Sequence, residues 1–127
     1  SSNVSVYPTE PKADPLRDWL ESLRMLKTRL PEDVLVFPAH GKPFRGAHGR
    51  LDALVQEHLD GLDALLELCT QPRRALDTFP ALFKSEISGS NLILATGESI
   101  AHLNYLVEEG ELAVEPDGDG VNWYRRT

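Results

Sequence analysis

Four histidines, one cysteine and a scatter of arginines are the side chains with which this sequence could do chemistry, and only one of them stands in a pattern. His40 closes Pro38-Ala39-His40-Gly41, directly after the apolar run Val34-Leu35-Val36-Phe37. That run, bounded by Asp33 and Pro38, predicts a short strand over residues 34–37, buried on both faces. His40 then falls just past the strand end, where the loops of an α/β sheet meet ligands, and Gly41 and Pro43 turn the chain away. An imidazole fixed there is a candidate metal ligand. A catalytic zinc needs about three protein ligands and an open position, and this pattern supplies one. A loop histidine that happens to follow a proline is the plain alternative, and spacing alone leaves both open.

The other candidates are read against their surroundings. Arg45 and His48, in the turn after His40, could meet an anionic substrate group or anchor the helix that follows; a solvated loop is the preferred reading. His58 lies on the apolar line of a long helix and reads as a hydrogen-bonded core histidine. His102, beside Asn104 in the last helix, has the look of a recognition residue, and helix-surface polarity explains it as well. The single cysteine, Cys69, excludes an internal disulfide and a cysteine-based zinc cage, and its apolar register predicts a buried structural thiol. Trp19 is assigned to core packing.

The elements that must position these residues follow from capping and periodicity. Asp14-Pro15 opens a helix over about residues 14–30, since Asp14 can cap free N–H groups and Pro15 needs no partner at the first helical position. Leu16, Trp19, Leu20, Leu23, Leu26 and Leu30 make its apolar face, Glu21 and Arg24 can pair on the outside, and Pro31 stops it. Val4, Val6 and Tyr7 suggest a short edge strand before it. A Gly46–Gly49 turn leads into a long helix over about 50–69, in which Gly61 marks a close helix contact. A shorter helix over about 73–83 directs Leu76, Phe79, Leu82 and Phe83 inward. A third, over about 91–109, buries Leu92, Ala95, Ile100, Leu103, Leu106 and Val107, with Gly110 as its terminating glycine. Pro116-Asp117-Gly118-Asp119-Gly120 is turn chemistry joining two strands over about 112–125.

These elements predict a mainly α protein with a small β component, α+β in class. Residues 48–127, three helices followed by a two-stranded ribbon, have the winged-helix order. Residues 1–47 read as a separate helix–strand piece of an α/β layer that lacks partner strands.

On these residues the sequence resembles the C-terminal part of a metallo-β-lactamase-fold hydrolase, in the neighbourhood of glyoxalase II and thioesterase-like members, with an appended winged-helix domain. The residues that carry the resemblance are Asn3-Val4-Ser5-Val6-Tyr7-Pro8, the Asp14-Pro15 helix, Pro38-Ala39-His40-Gly41, the Lys42-Pro43-Phe44-Arg45-Gly46 turn, the long helix and the ribbon. The resemblance implies that 1–47 closes an αββα catalytic domain and that His40 is its last metal-ligating histidine, on the second of two zinc ions. It implies a water acidified by the metals and attack on an ester- or thioester-type bond of a small molecule. The family's His-x-His-x-Asp-His cluster is missing from these 127 residues, and His48, His58 and His102 do not have its spacing. The expectation is therefore a truncated piece, inactive alone and without bound metal, whose first partner is the missing N-terminal catalytic part.

Charge and composition bear on the remaining function classes. With 41% hydrophobic and 26% charged residues, the chain has the balance of a globular domain. No apolar run spans a bilayer and no signal segment opens the sequence, which predicts a cytoplasmic protein with no membrane partner. The net charge is −7, and it is uneven: residues 51–127 hold fourteen Asp or Glu against five Lys or Arg. The winged-helix alternative, nucleic-acid binding, requires cations on phosphate. Residues 91–109 contain none, and Arg73, Arg74, Lys84, Arg125 and Arg126 could form only a small basic patch, so nucleic acid is not an expected partner. A packing or homodimerisation module is the third reading, resting on the apolar helix faces.

Overall fold

The computed structural model describes residues 3–127. Helix α1, Pro15–Arg29, begins as its sequence dictates: the Asp14 carboxylate accepts the Arg17 N–H at 3.3 Å, and Pro15 occupies the first position. Leu16, Leu20 and Leu23 are its buried residues, and Trp19 packs at the edge of the core. On the outside, Arg17 rather than Arg24 pairs with carboxylates, Asp14 at 3.0 Å and Glu109 at 2.6 Å, and Lys27 reaches Asp52 at 2.8 Å.

The predicted strand over 34–37 is not formed. Val36 makes one isolated antiparallel bridge, with Phe44, through hydrogen bonds of 2.8 and 3.0 Å. Leu35 is 42% exposed and Phe37 74% exposed. An apolar strand becomes buried on both faces only between neighbouring strands, and among the described residues Phe44 is the only pairing partner of this run.

Helix α2, Ala47–Leu68, starts three residues before its expected position, so that Gly49 lies inside it and Gly46, at φ +88°, becomes its N-cap. The cause is remote in sequence. Glu32 places a carboxylate oxygen 3.2 Å from the His48 backbone nitrogen and supplies the anion that an uncapped helix N-terminus lacks. The expected helix over 73–83 divides into a 3-10 turn, Ala75–Thr78, and the single-turn α3, Phe79–Leu82. Arg74 and Asp77 hold the start of the turn through reciprocal bonds, while Leu76, expected inside, is 49% exposed.

Helix α4, Leu92–Glu108, buries Ala95, Ala101, Leu103 and Leu106, whereas Leu92 at its start is exposed. Gly110, at φ +78°, ends it as predicted: the Gly110 N–H donates to the Val107 carbonyl and the Glu111 N–H to the Leu106 carbonyl. Strands β1, Leu112–Pro116, and β2, Asn122–Arg126, pair antiparallel with Val114 opposite Tyr124. Asp117 organises their turn by accepting the Asp119 and Val121 N–H groups and the Trp123 indole; led by the indole bond, these contacts hold its carboxyl below the ordinary range. The outer edge of β2 is fastened to the end of α2 by the paired Arg73–Tyr124 backbone bonds and by Arg126 N–H to the Cys69 carbonyl.

The fold is α+β, and its core draws on both ends of the chain. Val4, Val6, Leu16 and Leu20 pack in one cluster with Leu62, Leu65, Cys69, Leu103, Leu106 and Tyr124. Val4 and Val6 are buried without forming a strand, and the Val6 N–H donates to the carbonyl of Gly97 on α4 at 3.0 Å.

Candidate functional site

His40 lies at the tip of the seven-residue loop, 37–43, that the Val36–Phe44 bridge closes. Gly41, at φ +102°, reverses the chain immediately after it, a conformation that a side chain disfavours. The imidazole is exposed, and among the described residues it has no hydrogen-bond partner. No group of three or more His, Cys, Asp or Glu among the described residues could hold a metal ion.

The other two residues expected near a substrate are committed to structure. Arg45 donates from Nη1 to the Asp33 carbonyl at 2.6 Å and ties down the base of the His40 loop. His48 lies in the first turn of α2, not in a loop, with Nε2 2.6 Å from the Leu30 carbonyl and Nδ1 3.0 Å from the Glu32 carboxylate. It joins the end of α1 to the start of α2. The structure therefore does not gather His40, Arg45 and His48 into one cluster.

Two histidines that spacing keeps apart are brought together. His58 of α2 and His102 of α4, 44 residues away, face each other with Nδ1 to Nε2 at 3.1 Å, and both are only 7% exposed. His102 also directs Nδ1 at the Glu98 carbonyl, 2.8 Å away. His58 is the core histidine its register predicts; His102 is buried, against the reading of surface polarity. Burial pushes both below the ordinary histidine value, His102 to about 4 despite its bond to the Glu98 carbonyl. The available sequence signal is His58 three residues before Gly61, one turn along the face on which α2 and α4 approach.

Cys69 is fully buried, as expected, and burial raises its thiol above the ordinary value against the opposing charge of Arg73. The candidate basic patch is partly consumed: Arg74 pairs with Asp77 at 2.9 Å and lies over the Trp123 ring. An apolar groove of about 1150 Å³ runs between residues 5–12, α4 and the ribbon. Ile93, 79% exposed, and Leu94, 56% exposed, stand on its wall with Leu92, Leu76 and Val114.

With this geometry in view, comparison with known proteins places the chain. Residues 62–127 match the family described as metallo-β-lactamase-like, C-terminal domain. The chain belongs to that family. Over its whole length it is similar to a crystal structure of a β-lactamase domain protein from Burkholderia ambifaria, with 41% identity and a TM-score of 0.94. It is also similar over 99% of its length to a metallo-β-lactamase family protein from Thermus thermophilus, with 29% identity and a TM-score of 0.79. The chain spans 38% of the length of each of these two. None of the curated proteins matches it. Among the described residues no helix is long and apolar enough to cross a membrane.

Proposed function

We propose that this chain is the C-terminal part of a metal-dependent hydrolase and that His40 is the metal ligand it contributes. The observation that carries the reading is the state of the His40 loop. An imidazole without a hydrogen-bond partner among the described residues stands at a tip fixed by a two-bond bridge and a left-handed glycine, flanked by the exposed Leu35 and Phe37. Exposed apolar groups beside an unengaged ligand are what a surface looks like when the rest of a site belongs against it. Full-length likeness to two metallo-β-lactamase proteins of which this chain spans 38% supports the same view.

In this reading the centre is a pair of divalent ions, zinc in the first instance, and the reaction is hydrolysis of an ester- or thioester-type bond in a small molecule. The residues of this chain do not by themselves make such a centre, so the 127 residues alone are expected to be inactive. Residues 1–47 would close the αββα catalytic domain, and 48–127 would form a winged-helix-type unit, an assignment supported by the order of helices and ribbon. We place the protein in the cytoplasm. The test is the coding sequence upstream of Ser1: a His-x-His-x-Asp-His cluster in frame is the expected result, and a reading frame without one sinks the hydrolase reading.

The apolar groove favours a second role for 48–127, as the face on which the catalytic part or a second copy packs. Nucleic-acid binding has less support, because α4 carries Glu98 and Glu108 but neither Lys nor Arg.

A further inference from the structure

We propose that His58 and His102 form a proton-released latch that holds α4 against α2. The inference goes beyond the hydrolase reading and does not depend on it. It rests on the direction in which this hydrogen-bond chain must run. The Glu98 carbonyl is an acceptor only, so the His102 Nδ1 that stands 2.8 Å from it carries a proton. In a neutral ring His102 Nε2 then bears a lone pair, and the His58 Nδ1 at 3.1 Å must be the donor. The chain runs from His58 to His102 to the α4 backbone, and with both rings neutral each of its two bonds is made.

A proton added to His102 puts an N–H at Nε2, pointing at the N–H of His58. The contact survives that first proton only if His58 gives up its Nδ1 hydrogen and becomes the other tautomer. A second proton leaves two N–H groups facing each other with no acceptor between them. Both rings are buried, and the repulsion between the two facing N–H groups is relieved by parting the helices.

The surroundings concentrate the effect at one point. Gly61 of α2 lies under the pair, and a Cβ built there would sit 3.1 Å from Leu82 Cδ2 and 3.7 Å from the His102 ring. Helices α2, α3 and α4 therefore meet at the latch. Of the ionisable groups around it, Glu57 on α2 favours charge on His58, and the half-buried Glu98 on α4 has its own carboxyl raised by burial. Helix α3, Phe79–Leu82, brings no ionisable side chain. The β1–β2 ribbon is fastened elsewhere, to Arg73 and Cys69, and keeps its bonds when the latch opens.

The test uses the 127-residue chain labelled with nitrogen-15. Imidazole nitrogen spectra and amide-exchange protection are followed from about pH 7.5 to about pH 3.5. At the upper limit both histidines are expected as the Nδ1–H tautomer. Between about pH 6 and about pH 4, amides of residues 58–65 and 98–106 should lose at least roughly tenfold in protection while those of the ribbon stay within about twofold. Rings that titrate independently near the ordinary histidine value overturn the proposal, as does protection lost equally in seam and ribbon. In His102→Asn, which keeps an N–H for the Glu98 carbonyl but cannot titrate at that position, the step should shrink to what His58 alone gives; a variant that folds and keeps the full step overturns the latch. Should that variant not fold, the tautomers and protection of the unsubstituted chain decide alone.

Discussion

His58 Nδ1 and His102 Nε2 stand 3.1 Å apart inside the α2–α4 seam, where two ionisable rings are enclosed together by three helices. The stability of the chain should carry their signature. A histidine whose folded value lies below its unfolded value takes up protons more readily once unfolded. The stability it contributes is complete above about pH 6.5 and is lost as pH falls toward the folded value. For His102, held at about 4 by burial, the loss is on the order of 3 kcal/mol between those limits. Urea unfolding at about pH 7.5 and about pH 4 should show the midpoint falling by more in this chain than in His102→Asn, where His58 and the carboxylates are left to contribute. Equal shifts in the two proteins would refute this.

Gly97 should not tolerate a side chain. A Cβ there would meet the Val6 carbonyl oxygen at 3.0 Å and Ser5 Cβ at 3.2 Å, and backbone cannot swing aside as a side-chain tip can. Gly97→Ala should gain the helix propensity of alanine yet lose about 2 kcal/mol net, because residues 4–6 are pushed off α4. Chemical denaturation of the variant measures this, and an increase in stability would show that the 5–6 segment yields freely.

Ser99 presents the opposite case. Its side chain is fully buried on α4, and among the described residues its hydroxyl has no hydrogen-bond partner. Ser99→Ala removes a desolvated group and improves helix propensity, so it should stabilise the chain by about 1 kcal/mol. A loss of stability in thermal unfolding would reveal a bond that the hydroxyl makes.

Duplex DNA should not bind at physiological salt. Helix α4 presents Glu98 and Glu108, the ribbon turn holds Asp117 and Asp119, and Arg74 is spent on Asp77 and Trp123. A net negative surface repels a polyanion over the screening distance. A mobility-shift titration should show free duplex throughout, and a salt-dependent shift would overturn the charge argument.

Local signals were readable in the sequence where the cause was local. Asp14-Pro15, Gly110 and the Asp117 turn each act within a few residues, and each stands where its chemistry puts it. Gly61 was recognisable as a close contact, though its partners Leu82 and His102 were not. The failures share a different origin. The start of α2 depends on Glu32, sixteen residues before His48, and the burial of His102 depends on a helix crossing that periodicity does not encode. The 34–37 run carries the composition of a central strand but lacks neighbours, so propensity alone leaves it as a single bridge. At the site, the His40 motif was legible because Pro-x-His-Gly is contiguous; the engagement of Arg45 and His48 was not, because Asp33, Glu32 and Leu30 are reached across a turn.

The central claim is that His40 is a metal ligand whose co-ligands lie outside these 127 residues, and metal content tests it most directly. Elemental analysis should be made on the 127-residue chain, on the longer protein that includes the upstream part, and on that longer protein with His40→Ala. The account predicts less than about one zinc per chain in the first, about two in the second and about one in the third. Stoichiometric tight zinc in the 127-residue chain, or an unchanged zinc content in the His40→Ala protein, would contradict it.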